Sequence, residues 1–128
     1  MIWHHLVLDT PTLAALSGNR QVSALIHRAH FETETRLWVP VLSALEADRV
    51  HPGLAEHIGQ LDVIHTVDLD YPAMATVAQL NRDGVPPGIG AALHAARNLP
   101  EWGADALIAT VEPEAYVGRG VAILDLNR

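Results

Sequence analysis

An apolar run, Leu6-Val7-Leu8, stops at a single carboxylate, Asp9, and Thr10, Pro11 and Thr12 follow it. Two further acids stand in comparable settings. Glu46 comes directly after Leu45 in the mostly apolar stretch VPVLSALEADRV, and Glu112 lies two residues beyond the run Ala106 to Thr110. Carboxylates held close together bind hard cations such as Mg²⁺ or Mn²⁺ through oxygen, with waters completing the shell. A metal-bound water can then attack a phosphodiester while the cation neutralises charge developing on the phosphate. Each acid also has a plain structural role. Asp9 can cap the helix after it, Glu46 can be a solvated helix residue, and Glu112, before Pro113, can be a turn residue.

Other chemistry finds less support. Among eight histidines, His27 and His30 have i, i+3 spacing and His51 and His57 lie six apart. Neither pair has a third ligand nearby, and catalytic zinc uses three protein ligands, so these read as surface or capping residues. His94 lies one helical turn past Ala91, where it can meet a phosphate or simply pack, and His4-His5 reads as the start of a strand. Arg119, after Gly118, is a loop arginine that can meet a phosphate or solvent; Arg20 and Arg97 carry no signal. Trp3, Trp38 and Trp102 read as core or dimer-interface residues. The GIG at 88–90 lacks the lysine of a phosphate loop, and Ser17, Ser23 and Ser43 lack a nucleophile elbow. The absence of cysteine excludes disulfides and thiolate-bound zinc.

The acids matter only if secondary structure brings them together. Five apolar runs read as strands: Trp3 to Leu8, Leu37 to Val39, Val63 to Thr66, Ala106 to Thr110 and Val121 to Leu124. None alternates cleanly, as expected of strands covered on both faces. Helical patterns separate them. Pro11 to Leu16 has Thr10 as its expected cap, and Gln21 to His30 sets Val22, Leu25, Ile26 and Ala29 on one face. Pro40 opens a helix through Val50, with Val41, Leu42, Leu45 and Val50 expected on its buried side. A weaker helix covers Gly53 to Gln60. Asp70 caps another that carries Met74, Val77, Ala78 and Leu80, and the loop Asp83 to Gly88 precedes Ile89 to Leu99. Strands alternating with helices imply a parallel sheet, whose ligands gather beyond the carboxyl ends of the strands. Asp9 and Glu112 both fall at such ends.

The chain has 128 residues, 49% hydrophobic and 18% charged, which fits one domain over residues 1–128 with its own core. All eight basic residues are arginine, and the net charge of −7 argues against coating nucleic acid by bulk electrostatics. No apolar run approaches the roughly 18 residues of a membrane span, and MIWHHLVLD has no secretion-signal pattern. The cytoplasm is the expected location.

The order of these features resembles the PIN domain family of metal-dependent nucleases, which includes many bacterial toxins of toxin–antitoxin pairs. The resemblance runs over LVLDTPTLAAL, WVPVLSALEADRV, VIHTVDLDYPAMATVAQL, GIGAALHAAR, ALIATVEPEAY and VAILDL. It implies a three-layer α/β/α sandwich around a central, mostly parallel five-stranded sheet, and often a homodimer. It implies Mg²⁺ or Mn²⁺ held by Asp9, Glu46 and Glu112, with Thr12 near the position of a small hydroxyl residue. An RNA substrate and an antitoxin or other protein partner come with it. One position departs from the family: an aspartate is expected where this chain has Ala91. Asp105 falls at the wrong end of its strand to replace it, and Asp83 lies on the preceding loop. Two functions follow as expectations, a ribonuclease weakened by Ala91 or an inactive PIN-like module that binds RNA or a protein. A flavodoxin-like or receiver-type domain has no supporting signature.

Overall fold

The structure, a computed structural model, describes residues 4–32, 34–98 and 106–127. The expectations for Trp3, Leu99, Trp102 and Asp105 therefore fall outside the described residues.

Among the described residues, five strands and six α-helices follow one another along the chain. They are β1 (His4–Leu8), α1 (Thr10–Ala14), α2 (Arg20–Phe31), β2 (Thr35–Pro40), α3 (Val41–Val50), α4 (Leu54–Gly59) and β3 (Ile64–Val67). After these come α5 (Tyr71–Arg82), α6 (Pro87–Asn98), β4 (Ala106–Thr110), a one-turn 3₁₀ helix (Pro113–Tyr116) and β5 (Ile123–Asp125). The strands form one sheet in the order β3-β2-β1-β4-β5, and every neighbouring pair is parallel. Strand order reverses at β1, between β2 on one side and β4 on the other. The crevice beyond the carboxyl ends of β1 and β4 is the usual ligand position in such sheets.

Successive strand residues point to opposite faces, and two apolar clusters follow that alternation. Leu6, Leu8, Leu37, Val39 and Ala109 pack with Leu13, Leu16, Val22, Leu25, Ala47 and Ile58. Val7, Trp38 and Ile108 pack with Val85, Ile89, Ala92, Leu93, Ala95 and Ala96 on the other side, where α6 supplies most of the cover. Helices on both faces of a parallel sheet make the expected three-layer α/β/α sandwich.

Three local expectations need correction. Asp9, not Thr10, is the N-cap of α1: its carboxylate accepts from the Thr12 N–H, and Thr10 and Pro11 already belong to the first turn. Pro87 and Gly88 start α6 instead of closing a loop, since proline lacks an N–H that the first helical turn does not need. In α3 the buried face is Ser43 and Ala47, whereas Val41, Leu45 and Val50 are exposed. Small side chains at 43 and 47 let α1 and α6 approach α3 closely, and this approach outweighs the larger apolar residues in choosing the inner face.

Candidate functional site

β1 stays extended through Asp9 (φ −95°, ψ 176°) before the chain turns into α1. The pleat then sends Asp9 to the same face as Val7. In the β1–β4 register Leu8 lies opposite Ala109, so Thr110 is the neighbour of Asp9 across the strands. Both are completely buried.

Every oxygen position of the Asp9 carboxylate is used from within the chain. Oδ1 accepts from the Thr12 N–H at 3.1 Å and from the Thr12 hydroxyl at 2.5 Å. Oδ2 accepts from the Thr110 hydroxyl at 2.7 Å and from the Tyr116 phenol at 2.6 Å. The Thr12 hydroxyl also faces the Ala109 carbonyl at 3.3 Å, but the Asp9 oxygen is much closer. Thr12 Oγ1 accepts from the Val111 N–H (3.1 Å) and Thr110 Oγ1 from the Glu112 N–H (2.9 Å). A hydroxyl carries one proton, and here the short contacts direct it to Asp9. Four donors around an acceptor-only group are the complement that a buried carboxylate needs in the absence of a cation.

Tyr116 arrives on the 3₁₀ helix, and its ring joins the apolar cluster of Val7, Ile108 and Leu93. Burial, then the neighbouring Asp9 charge and the hydrogen bond to it, push the phenol far above the ordinary tyrosine range; the Glu112 carboxylate adds to this. Tyr116 is thus a neutral donor. No sequence motif marked it, because a tyrosine four residues past a glutamate has no recognisable chemistry until the turn folds back over Asp9. Thr110 did stand in the sequence as the last residue of a strand, and its register with Asp9 was the available signal.

Glu46 takes a different role. Its Oε1 accepts the backbone N–H of Gly88 in the first turn of α6, so the half-buried carboxylate caps that helix from α3. The Ser43 hydroxyl donates to the Gly88 carbonyl at 2.8 Å, and the Thr10 hydroxyl donates to the Ser43 carbonyl at 3.1 Å. Glycine is required at 88: a β-carbon there would collide with Thr10 Oγ1 and crowd Glu46 Oε1. Glu112 contributes its backbone N–H to the network while its side chain is exposed.

The fold therefore joins Asp9 and Thr12 directly and brings the backbone of Glu112 to them. One carboxylate oxygen of Glu46 is engaged at the start of α6. Among the described residues there is no group of three or more histidines, aspartates and glutamates that could hold a metal ion. Ala91 is buried and lines a narrow cleft with Pro40, Val41, Val67, Leu69 and His94. His94 lies at the neighbouring cleft of about 320 Å³ with Asp68, Asp70 and Asn98, and Nδ1 of its ring sits 3.3 Å from the Asn98 amide nitrogen. Arg119 uses its backbone, accepting at its carbonyl from Arg97 Nη2 at 2.8 Å.

No protein-family model matches the chain, and no curated protein sequence matches it.

Proposed function

We propose that the chain is a PIN-like module whose acidic end has become a structural strut and which acts by binding a protein instead of hydrolysing RNA. The observation that carries this reading is Asp9, fully buried, with two internal donors on each carboxylate oxygen. A Mg²⁺ or Mn²⁺ ion requires exposed oxygen lone pairs and room for several waters. As they stand, these residues do not fit such an ion. Asp9 has no acceptor direction left, Glu46 is committed to the Gly88 N–H, and Ala91 offers no donor.

Protein binding is favoured over RNA by charge and by surface. The net charge is −7, and Asp68 and Asp70 are exposed next to the Ala91 cleft. Phosphate backbones are repelled by such a rim. Val41, Leu45, Leu69, Tyr71 and Met74 expose apolar surface on α3, the β3–α5 connection and α5. Exposed apolar side chains together with exposed acids suit a partner that presents apolar side chains flanked by basic ones, as an antitoxin-type protein would. A homodimer is the competing occupant, and light scattering on the purified chain separates the two.

A weakened ribonuclease is the second reading, favoured by the exposed Glu112 side chain beside this end of the sheet. The deciding experiment incubates labelled RNA with Mg²⁺ or Mn²⁺ and wild type, Asp9→Asn or Glu46→Gln. We expect the same background in all three. Metal-dependent cutting by wild type that both variants lose would restore the nuclease.

A further inference from the structure

We propose that Tyr116 is the residue that shuts this end of the sheet to divalent cations, its phenol oxygen standing where an ion on Asp9 would have to sit. The inference rests on the reading of a closed acidic end and assigns the closure to one atom.

The geometry is specific. The phenol oxygen lies 2.6 Å from Asp9 Oδ2, only about half an ångström farther than the roughly 2.1 Å of a Mg²⁺–oxygen contact. Thr110, the other donor to Oδ2, belongs to the strand, and its hydroxyl is also tied to the Glu112 N–H. Tyr116 comes from outside the strand ladder. Pro113 opens its one-turn helix, and Gly118 and Gly120, both with positive φ, follow it. The loop is held against α6 because Arg97 Nη2 donates to the Arg119 carbonyl while the Arg119 N–H donates to the Tyr116 carbonyl at 3.1 Å. Ring and backbone thus have their own supports, in the apolar cluster and in the Arg97 contact. The hydroxyl can be removed without removing either. What its loss exposes is one lone pair of a buried carboxylate and a space the size of an oxygen atom, the two things an entering cation lacks in the wild type.

Ala91 alone does not explain the closure. An acid placed there adds a carboxylate to the cleft of Pro40, Val67 and His94, but it leaves all four donors on Asp9. The two changes should therefore act together.

The test measures Mn²⁺ binding by calorimetry for wild type, Ala91→Asp, Tyr116→Phe and the double variant, with circular dichroism to confirm folding. Wild type and Ala91→Asp should show no binding. The double variant should bind measurably, at least about tenfold more tightly than the detection limit that bounds those two, since the ion no longer displaces a hydrogen bond to a charged acceptor. If the double variant does not fold, Tyr116→Phe alone decides: Mn²⁺ should raise its melting temperature and leave that of wild type unchanged. Binding by Ala91→Asp equal to that of the double variant would overturn the role of the phenol, as would phenylalanine variants as inert as wild type. Tight binding by wild type would overturn the closed site itself, which is a different failure.

Discussion

The Tyr116 phenol and the Asp9 carboxylate, 107 positions apart in the chain, meet at 2.6 Å in a fully protein-lined environment. The pair joins the end of β1 to the turn after β4, across the point where strand order reverses. Because the phenol donates, it must stay protonated, and its raised pKa expresses that requirement. A group whose folded pKa lies above its unfolded value of 10.0 stabilises fully below that pH and loses its contribution as pH rises past it. Alkaline titration followed at the phenolate absorbance should therefore show one of the two tyrosines ionising only as the protein unfolds. In Tyr116→Phe the delayed step should vanish, and urea unfolding at pH 7 should show a loss of about 1–3 kcal/mol. A wild-type protein that releases both protons while still folded would contradict the hydrogen bond.

Asp9→Asn separates a strut from a metal ligand by the sign of its effect. In a cluster of acids awaiting a cation, neutralising one relieves repulsion and stabilises the metal-free protein. Here the amide supplies one acceptor and turns an N–H₂ toward hydroxyls arranged to donate. Unfolding free energy should fall by about 2–4 kcal/mol. An increase in stability without metal would show that Asp9 is not held as described.

How far the sequence revealed this arrangement depended on whether the deciding interaction was local. Strand parity, helix alternation and the Asp70 cap follow from residues close in sequence, so the sandwich was legible, and β4 was bounded correctly at Ala106 and Thr110. The place of Asp9 at a strand end was legible too. What it does there was not, because Thr110 and Tyr116 approach from more than 100 residues away. The inner face of α3 was misread for a similar reason. Apolar content points to Val41 and Leu45, but the fit of Ser43 and Ala47 against α1 and α6 is a tertiary choice. The bond from the Gly88 N–H to Glu46 was hidden in the same way, since its two ends lie 42 residues apart.

Glu46 as a helix cap makes its own prediction. Glutamine keeps the accepting oxygen, so Glu46→Gln should cost little, whereas Glu46→Ala should lose about 1 kcal/mol, the usual worth of a cap. A metal ligand would instead be impaired similarly by both. Urea unfolding of the two variants, beside Mn²⁺ calorimetry, distinguishes these patterns.

Gly88 offers a check on the packing around that cap. Gly88→Ala places a β-carbon into Thr10 Oγ1 and within 2.9 Å of Glu46 Oε1, so α6 must shift or Thr10 must rotate. A loss of about 1–3 kcal/mol is expected. Thr10→Ala removes the nearest obstacle but not Glu46, so the double variant should recover part of the loss. Strict additivity of the two changes in a double-mutant cycle would rule out the contact.

Far from the carboxylate, His5 gives the fold an acid-sensitive joint. Its ring is buried on β1, and Nδ1 accepts from the Trp38 indole N–H at 2.9 Å. Indole is a donor only, so Nδ1 must carry no proton for this bond to exist. Burial, and then the Arg36 charge, lower the His5 pKa from its ordinary 6.5. The sign follows: the unfolded chain takes up the proton first, so the stabilisation is complete above about 6.5 and declines as pH falls below it. The slope from this one group is at most about 1.4 kcal/mol per pH unit. Urea unfolding at intervals between pH 5 and 8 should show wild type losing stability faster on the acid side than His5→Gln, with the two curves parallel above pH 7. Arg36→Gln, which removes the second cause, should narrow the interval over which they diverge. Parallel curves throughout would mean that the imidazole is protonated equally easily in both states and that the bond to Trp38 contributes nothing to acid sensitivity.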